Sequence, residues 1–136
     1  MKTETEHTLL HDLLNNHLRP FFKNAVLIKH NDSTAGGPDI SMTLSGRTSW
    51  LEVKHANPDI DQTDLQNLTC KRLAIQGDCW YAVYEELERT KRTLIVHPRD
   101  MYPSGEYTPM CHTTGFNHKF IVAFLRELHH QPRRMR

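Results

Sequence analysis

Cysteine is scarce in this sequence. The 136 residues hold three, Cys70, Cys79 and Cys111, with no Cys-x-x-Cys spacing. An odd and unpatterned count argues against a disulfide framework and against a zinc ribbon. Charge of one sign is also not in surplus. The formal net charge is +1 with histidine neutral, which excludes a protein that coats nucleic acid by bulk charge alone. No apolar run approaches the ~18 residues of a membrane span. Met1 to His11 carries two glutamates and no long apolar stretch, so it does not read as a signal peptide. There is no internal repeat and no low-complexity segment. The expectation is a protein of a reducing cytoplasm with no membrane partner.

What is present is ordinary for a globular chain. The hydrophobic fraction is 38% and the charged fraction 24%, and the length suits one domain able to bury a core of its own. Residues 1–130 are expected to form that domain, with 131–136 a basic, disordered tail. Any contact with nucleic acid must come from local basic clusters: Lys71-Arg72, Arg89 to Arg92, and Arg133, Arg134 and Arg136 in the tail. Each cluster taken alone reads equally well as solvated surface. Ten histidines make the charge rise below about pH 6.5. Cys111-His112 is a weak hint of metal ligation.

Periodicity divides the chain into alternating elements. Leu10, Leu13, Leu14 and His17 make an apolar stripe on a helix over Thr5 to Leu18, ended by Arg19-Pro20. Glu6 falls on the inward face of that helix, as a first-turn dipole partner or as a site residue. Ala25 to Lys29 reads as a strand. Asp39 to Leu44 alternates, with Asp39, Ser41 and Thr43 sharing one face. After a turn at Ser45 to Thr48, Trp50 to Lys54 completes a hairpin. A helix over Asp61 to Gln76, with Asp59 or Asp61 as N-cap, is stopped by Gly77; its apolar face of Leu65, Leu68, Leu73 and Ile75 is imperfect. Cys79 to Tyr84 and Arg92 to His97 are strands, His97 to Phe116 is a long loop, and Asn117 to His129 is the last helix. Strands mixed with helices in this order predict an α/β domain with a mixed sheet.

Asp39, Glu52 and Lys54 carry the chemistry. Glu52 and Lys54 lie two apart on one strand and project from one face, while Val53 points into the core. Asp39 starts the neighbouring strand and is expected near the level of Lys54. Two carboxylates and the Val53 carbonyl can hold Mg²⁺, which takes oxygen ligands. Lys54 can handle an attacking water or stabilise charge on a phosphate. Trp50 shares the face of Glu52, as a packing residue or as a stacking platform for a base. His30 and His55 read as surface or supporting residues.

At these residues the sequence resembles the PD-(D/E)xK nuclease superfamily. Gly37-Pro38-Asp39-Ile40, followed by Leu51-Glu52-Val53-Lys54, looks closest to the virus-type replication-repair nuclease (VRR-Nuc) branch, whose relatives include enzymes similar to Holliday-junction resolvases. The resemblance spans roughly Glu6 to His97; residues 98–136 match no feature of it. It implies a restriction-endonuclease-like domain, a central mixed sheet flanked by helices, and a phosphodiesterase acting on DNA with Mg²⁺ or Mn²⁺. It implies that Glu6, from the first helix, joins Asp39, Glu52 and the Val53 carbonyl as a metal ligand. It implies a site glutamine in the helix before Gly77, either Gln66, which would orient Lys54 or a phosphate, or Gln62 one turn earlier. A phage or prophage source, in a bacterial or phage-infected cell, goes with it.

The leading expectation is thus a Mg²⁺-dependent endodeoxyribonuclease. The low net charge fits selectivity for branched DNA such as Holliday junctions, in replication, recombination or repair, with monomer and homodimer both open. Lys71, Arg72, Arg133 and Arg134 are the candidate DNA contacts. The alternative is a catalytically silent nucleic-acid-binding or assembly module on the same fold. The complete set of Asp39, Glu52 and Lys54 argues for the first.

Overall fold

The computed structural model describes residues 2–30, 37–57, 59–60 and 64–131. Gln62 and the basic tail with Arg133, Arg134 and Arg136 lie outside the described residues.

Among the described residues six strands form one mixed sheet flanked by helices, an α/β fold as the sequence order predicts. They are β1 (Val26–Lys29), β2 (Ile40–Leu44), β3 (Arg47–Ala56), β4 (Asp78–Glu86), β5 (Lys91–Val96) and β6 (Cys111–Thr114), in sequence order across the sheet. All neighbours are antiparallel except β3 and β4, which run parallel. Parallel neighbours need a crossover, and helix α3 (Asp64–Gln76) supplies it. The strand β6 lies inside the stretch expected as loop. Its residues are polar and half-exposed at a sheet edge, so they carry no apolar alternation to mark them.

The first helix, α1 (Glu4–Asp12), starts on a capping box. The Thr3 hydroxyl accepts the Glu6 N–H and the Glu6 carboxylate accepts the Thr3 N–H, each at 3.1 Å. Leu13–Leu18 continues it as a π-helical turn, and Arg19–Phe21 follows as a short α2. The helical path therefore does not stop at Arg19-Pro20. Pro20 sits in the first turn of α2, where its missing N–H removes little.

Two cores sandwich the sheet. On one face Leu10, Leu13, Leu14 and Leu18 pack with Val53, Tyr84 and Ile95 and with Ile121 and Leu125 of α4 (His118–His130). On the other, Cys70 of α3 packs with Ala56, Cys79, Tyr81, Val83 and Leu94, and Leu73 leans against them. Leu68 and Ile75, expected on the buried face of α3, are exposed. The helix has few apolar residues to offer, and its inner face is completed by Ala74 and the buried polar Asn67. No helix among the described residues is long and apolar enough to cross a membrane.

The β2–β3 hairpin sets the register of the site. It closes in two residues, Ser45 (φ 53°) and Gly46 (φ 76°), both in the left-handed region that a two-residue type I′ hairpin turn requires. Leu44 pairs with Arg47 and Ile40 with Leu51. Asp39 therefore stands at the level of Glu52 and Val53, two residues short of the Lys54 level that a longer turn would give.

Candidate active site

Each of Asp39, Glu52 and Lys54 is buried, and backbone geometry brings them to one corner. Asp39 precedes β2, and its N–H donates to Glu52 Oε1 at 3.1 Å. Its own carboxylate accepts the Val53 N–H on Oδ2 at 2.8 Å. Glu52 is fully buried, at 0% exposure. Lys54 Nζ lies 3.6 Å from Glu52 Oε2. The period of two along β3 puts Glu52 and Lys54 on the α3 side and sends Val53 into the opposite core.

Gln66, from the first turns of α3, joins the two. Its carbonyl oxygen accepts from Lys54 Nζ at 2.6 Å, and its amide nitrogen donates to Glu52 Oε2. One planar amide thus fixes both the lysine and the carboxylate.

Lys2 completes the corner, and the sequence reading missed it. Its ammonium donates to the Val53 carbonyl, lies 2.9 Å from Asp39 Oδ2 and 3.6 Å from Glu52 Oε2. Three of the four oxygen donors named from the sequence as metal ligands, those of Asp39, Glu52 and Val53, therefore converge on one cation. A hard divalent ion takes an all-oxygen set of this kind, so the residues present fit Mg²⁺, with the ammonium as a stand-in. The Thr3-x-x-Glu6 capping box fixes where the chain enters α1, but nothing in the sequence says where the Lys2 side chain points.

Glu6 takes a different place. It is buried at the head of α1, with one oxygen on the Thr3 N–H and the other on the His55 N–H at 2.8 Å. It welds the helix start to β3 just beyond Lys54. It is not among the three oxygens around Lys2.

The electrostatics follow from burial. Desolvation, followed by the adjoining Asp39 carboxylate, raises the Glu52 carboxyl well above its ordinary range against the pull of Lys2 and Lys54. Burial also lowers the Lys54 ammonium, although Glu52 opposes it. Burial alone would push Lys2 down, but Glu52 and Asp39 outweigh it and hold it above the usual lysine value. The corner therefore favours cations near the carboxylates and holds a lysine that gives up its proton more readily than an exposed one.

The remaining candidates lie further out. Arg72 is exposed and Lys71 half-buried, on the same helix as Gln66. Trp50 packs against the α3-side core, with the His30 ring 5.1 Å away. His55 faces the opposite side, against Phe116. In the Arg89 to Arg92 cluster, Arg92 is paired with Glu85 at 2.7 Å and Lys91 lies over the Phe116 ring. No model of a known protein family matches the chain, and no curated protein matches it.

Proposed function

We propose that this protein is a metal-dependent nuclease of the PD-(D/E)xK type, hydrolysing phosphodiester bonds of DNA. The observation that carries the reading is the convergence of Asp39, Glu52 and the Val53 carbonyl on a single cation, with Lys54 and Gln66 beside it. Those oxygens would hold Mg²⁺ or Mn²⁺, which when bound supplies Lewis acidity toward a phosphate and a water of lowered pKa. Lys54, held at 2.6 Å by Gln66, is positioned to orient that water, exchange its proton, or bind a non-bridging phosphate oxygen. Gln66 in turn bridges Lys54 and Glu52. Lys2 neutralises the corner while no ion is there and must swing out for loading.

Selectivity for branched DNA, in replication, recombination or repair, is the finer part of the proposal; it rests on the low net charge. Lys2 also favours a second reading. A lysine seated permanently on Asp39 and Glu52 would leave a silent nucleic-acid-binding module.

The test is a labelled panel of single strand, duplex, flap and four-way junction, incubated with Mg²⁺, Mn²⁺ or EDTA beside the Glu52→Ala protein. Metal-dependent cutting that is lost in the variant supports the nuclease, and junction cut in preference to duplex supports the finer part. A folded protein that cuts nothing while still binding DNA supports the second reading.

A further inference from the structure

On the opposite side of the sheet from Gln66, three other side chains gather. Asp12 ends α1, His17 lies in the π-helical turn and His118 opens α4. One potential ligand atom from each lies within 4.8 Å of the other two. His118 Nε2 is 2.8 Å from Asp12 Oδ2, and the His17 and His118 rings stand 4.7 Å apart between centroids.

The π turn makes the gathering. Residues five apart on an α-helix point about 140° from each other, at ~100° per residue. A π turn, with its i→i+5 bonding, brings residues five apart onto one side. Asp12 and His17 are spaced in that way, and both face His118 across the helix pair. A π turn in a helix is frequently kept for a site.

We propose that Asp12, His17 and His118 form a site for a transition-metal ion of the Zn²⁺ class, separate from the carboxylate corner. Two imidazoles and one carboxylate are a donor set that Zn²⁺ takes with a water in the remaining position, whereas Mg²⁺ prefers oxygen alone. The outer partners are already in place. Tyr84, fully buried, sets its hydroxyl 2.6 Å from His118 Nδ1, so Nε2 is the nitrogen turned toward the ion. Asn16 donates to Asp12 Oδ1 at 2.5 Å, which leaves Oδ2 to ligate. Such outer partners fix the ligands' tautomer and orientation. Without an ion, Nε2–H donates to Asp12 while Nδ1 accepts from Tyr84. With an ion on Nε2, the proton resides on Nδ1 and is donated to Tyr84. The neutral ring changes tautomer and no net proton is required.

Ligands on a tetrahedral ion with ~2.05 Å bonds sit about 3.3 Å apart, so the Asp12–His118 contact must open by about half an ångström and the His17 nitrogen, within 4.8 Å of the other two, must close by up to about 1.5 Å. Asp12 is 44% exposed in its side chain, and it and His17 each border an open cleft of roughly 500 Å³. An ion therefore has an entry path. Bound there, it would tie the α1 end, the π turn and the α4 start into one unit.

The experiment is Zn²⁺ titration by calorimetry, with Co²⁺ absorption as a probe of coordination, on the wild type, His17→Gln, His118→Ala and Asp39→Asn. The expected result is one Zn²⁺ per chain, a tetrahedral Co²⁺ spectrum and a raised Tm, all lost in His17→Gln and His118→Ala and kept in Asp39→Asn. His17→Gln keeps the proposal testable if His118→Ala fails to fold. No saturable Zn²⁺ binding, or binding indifferent to His17→Gln, would overturn it and leave an Asp12–His118 ion pair only.

Discussion

Two buried glutamates lie on the same face of the sheet, Glu52 on β3 and Glu85 on β4, and they have opposite fates. Each is at most 4% exposed. Burial alone would raise both carboxyl groups. At Glu85 it is outweighed by hydrogen bonds from Arg92 and Tyr107, and the group is held below its ordinary range. At Glu52 burial wins, helped by the neighbouring Asp39, and the group is held well above. A carboxylate placed for stability is given donors that suit its charge. At Glu52 the added donors are the neutral Asp39 N–H and Gln66 amide, and with a second carboxylate alongside, they and the two lysines do not offset its burial. Carboxyl groups perturbed in this way cluster at functional sites.

The largest effect that would break this comparison is on activity. Glu52→Gln and Lys54→Ala are expected to lower metal-dependent DNA cleavage by about 10²–10⁴-fold, the range for loss of a positioned acid–base or electrostatic group. Equal single-turnover rates in wild type and variants would remove Glu52 and Lys54 from the chemistry.

Stability should separate the two glutamates next. Glu85→Gln is expected to destabilise by about 1.5–3 kcal/mol at pH 7, the range for hydrogen bonds to a charged group. Glu52→Gln is expected to raise Tm while it abolishes function. The pH dependence has opposite signs. The depressed Glu85 contributes stability above the ordinary glutamate value of 4.5, lost as pH falls through its lower folded value. The raised Glu52 makes the folded protein bind a proton, so stability falls as pH rises from 4.5 through its higher folded value. Thermal melts of both variants against pH should therefore diverge at neutrality and converge on acidification. Parallel curves would mean that the two sites are not distinct.

A smaller change is expected at Lys2. Removing the competing ammonium by Lys2→Ala should tighten Mg²⁺ binding by roughly tenfold, the equivalent of about 1.4 kcal/mol. Unchanged affinity would mean that Lys2 and the ion do not share the corner.

The parts legible in the sequence are those set by short-range rules. The period of two on β3 puts Glu52 and Lys54 on one face whatever the rest does. Asp39, one strand back, was also foreseeable, but its level depended on a two-residue turn at Ser45-Gly46 that the sequence pattern suggested as longer. The sequence leaves two candidates for the glutamine of α3; Gln66 bridges Lys54 and Glu52, and Gln62 lies outside the described residues. Lys2 was illegible because a flexible lysine before a helix points wherever the tertiary structure offers carboxylates. The π turn was illegible because Leu13, Leu14 and Leu18 satisfy a helical stripe with either winding. Glu85 carries no signal in the sequence because its partner Tyr107 comes from a segment that reads as loop.

The measurement that tests the central claim most directly is calorimetric titration of Mg²⁺ into the wild type, Lys2→Ala and Asp39→Asn. Magnesium suits the oxygen corner and not the imidazole cluster. The account predicts one saturable site in the wild type, tighter in Lys2→Ala and absent in Asp39→Asn. No Mg²⁺ binding in the wild type or in Lys2→Ala would contradict it, because the corner would then be closed by its lysine rather than waiting for an ion.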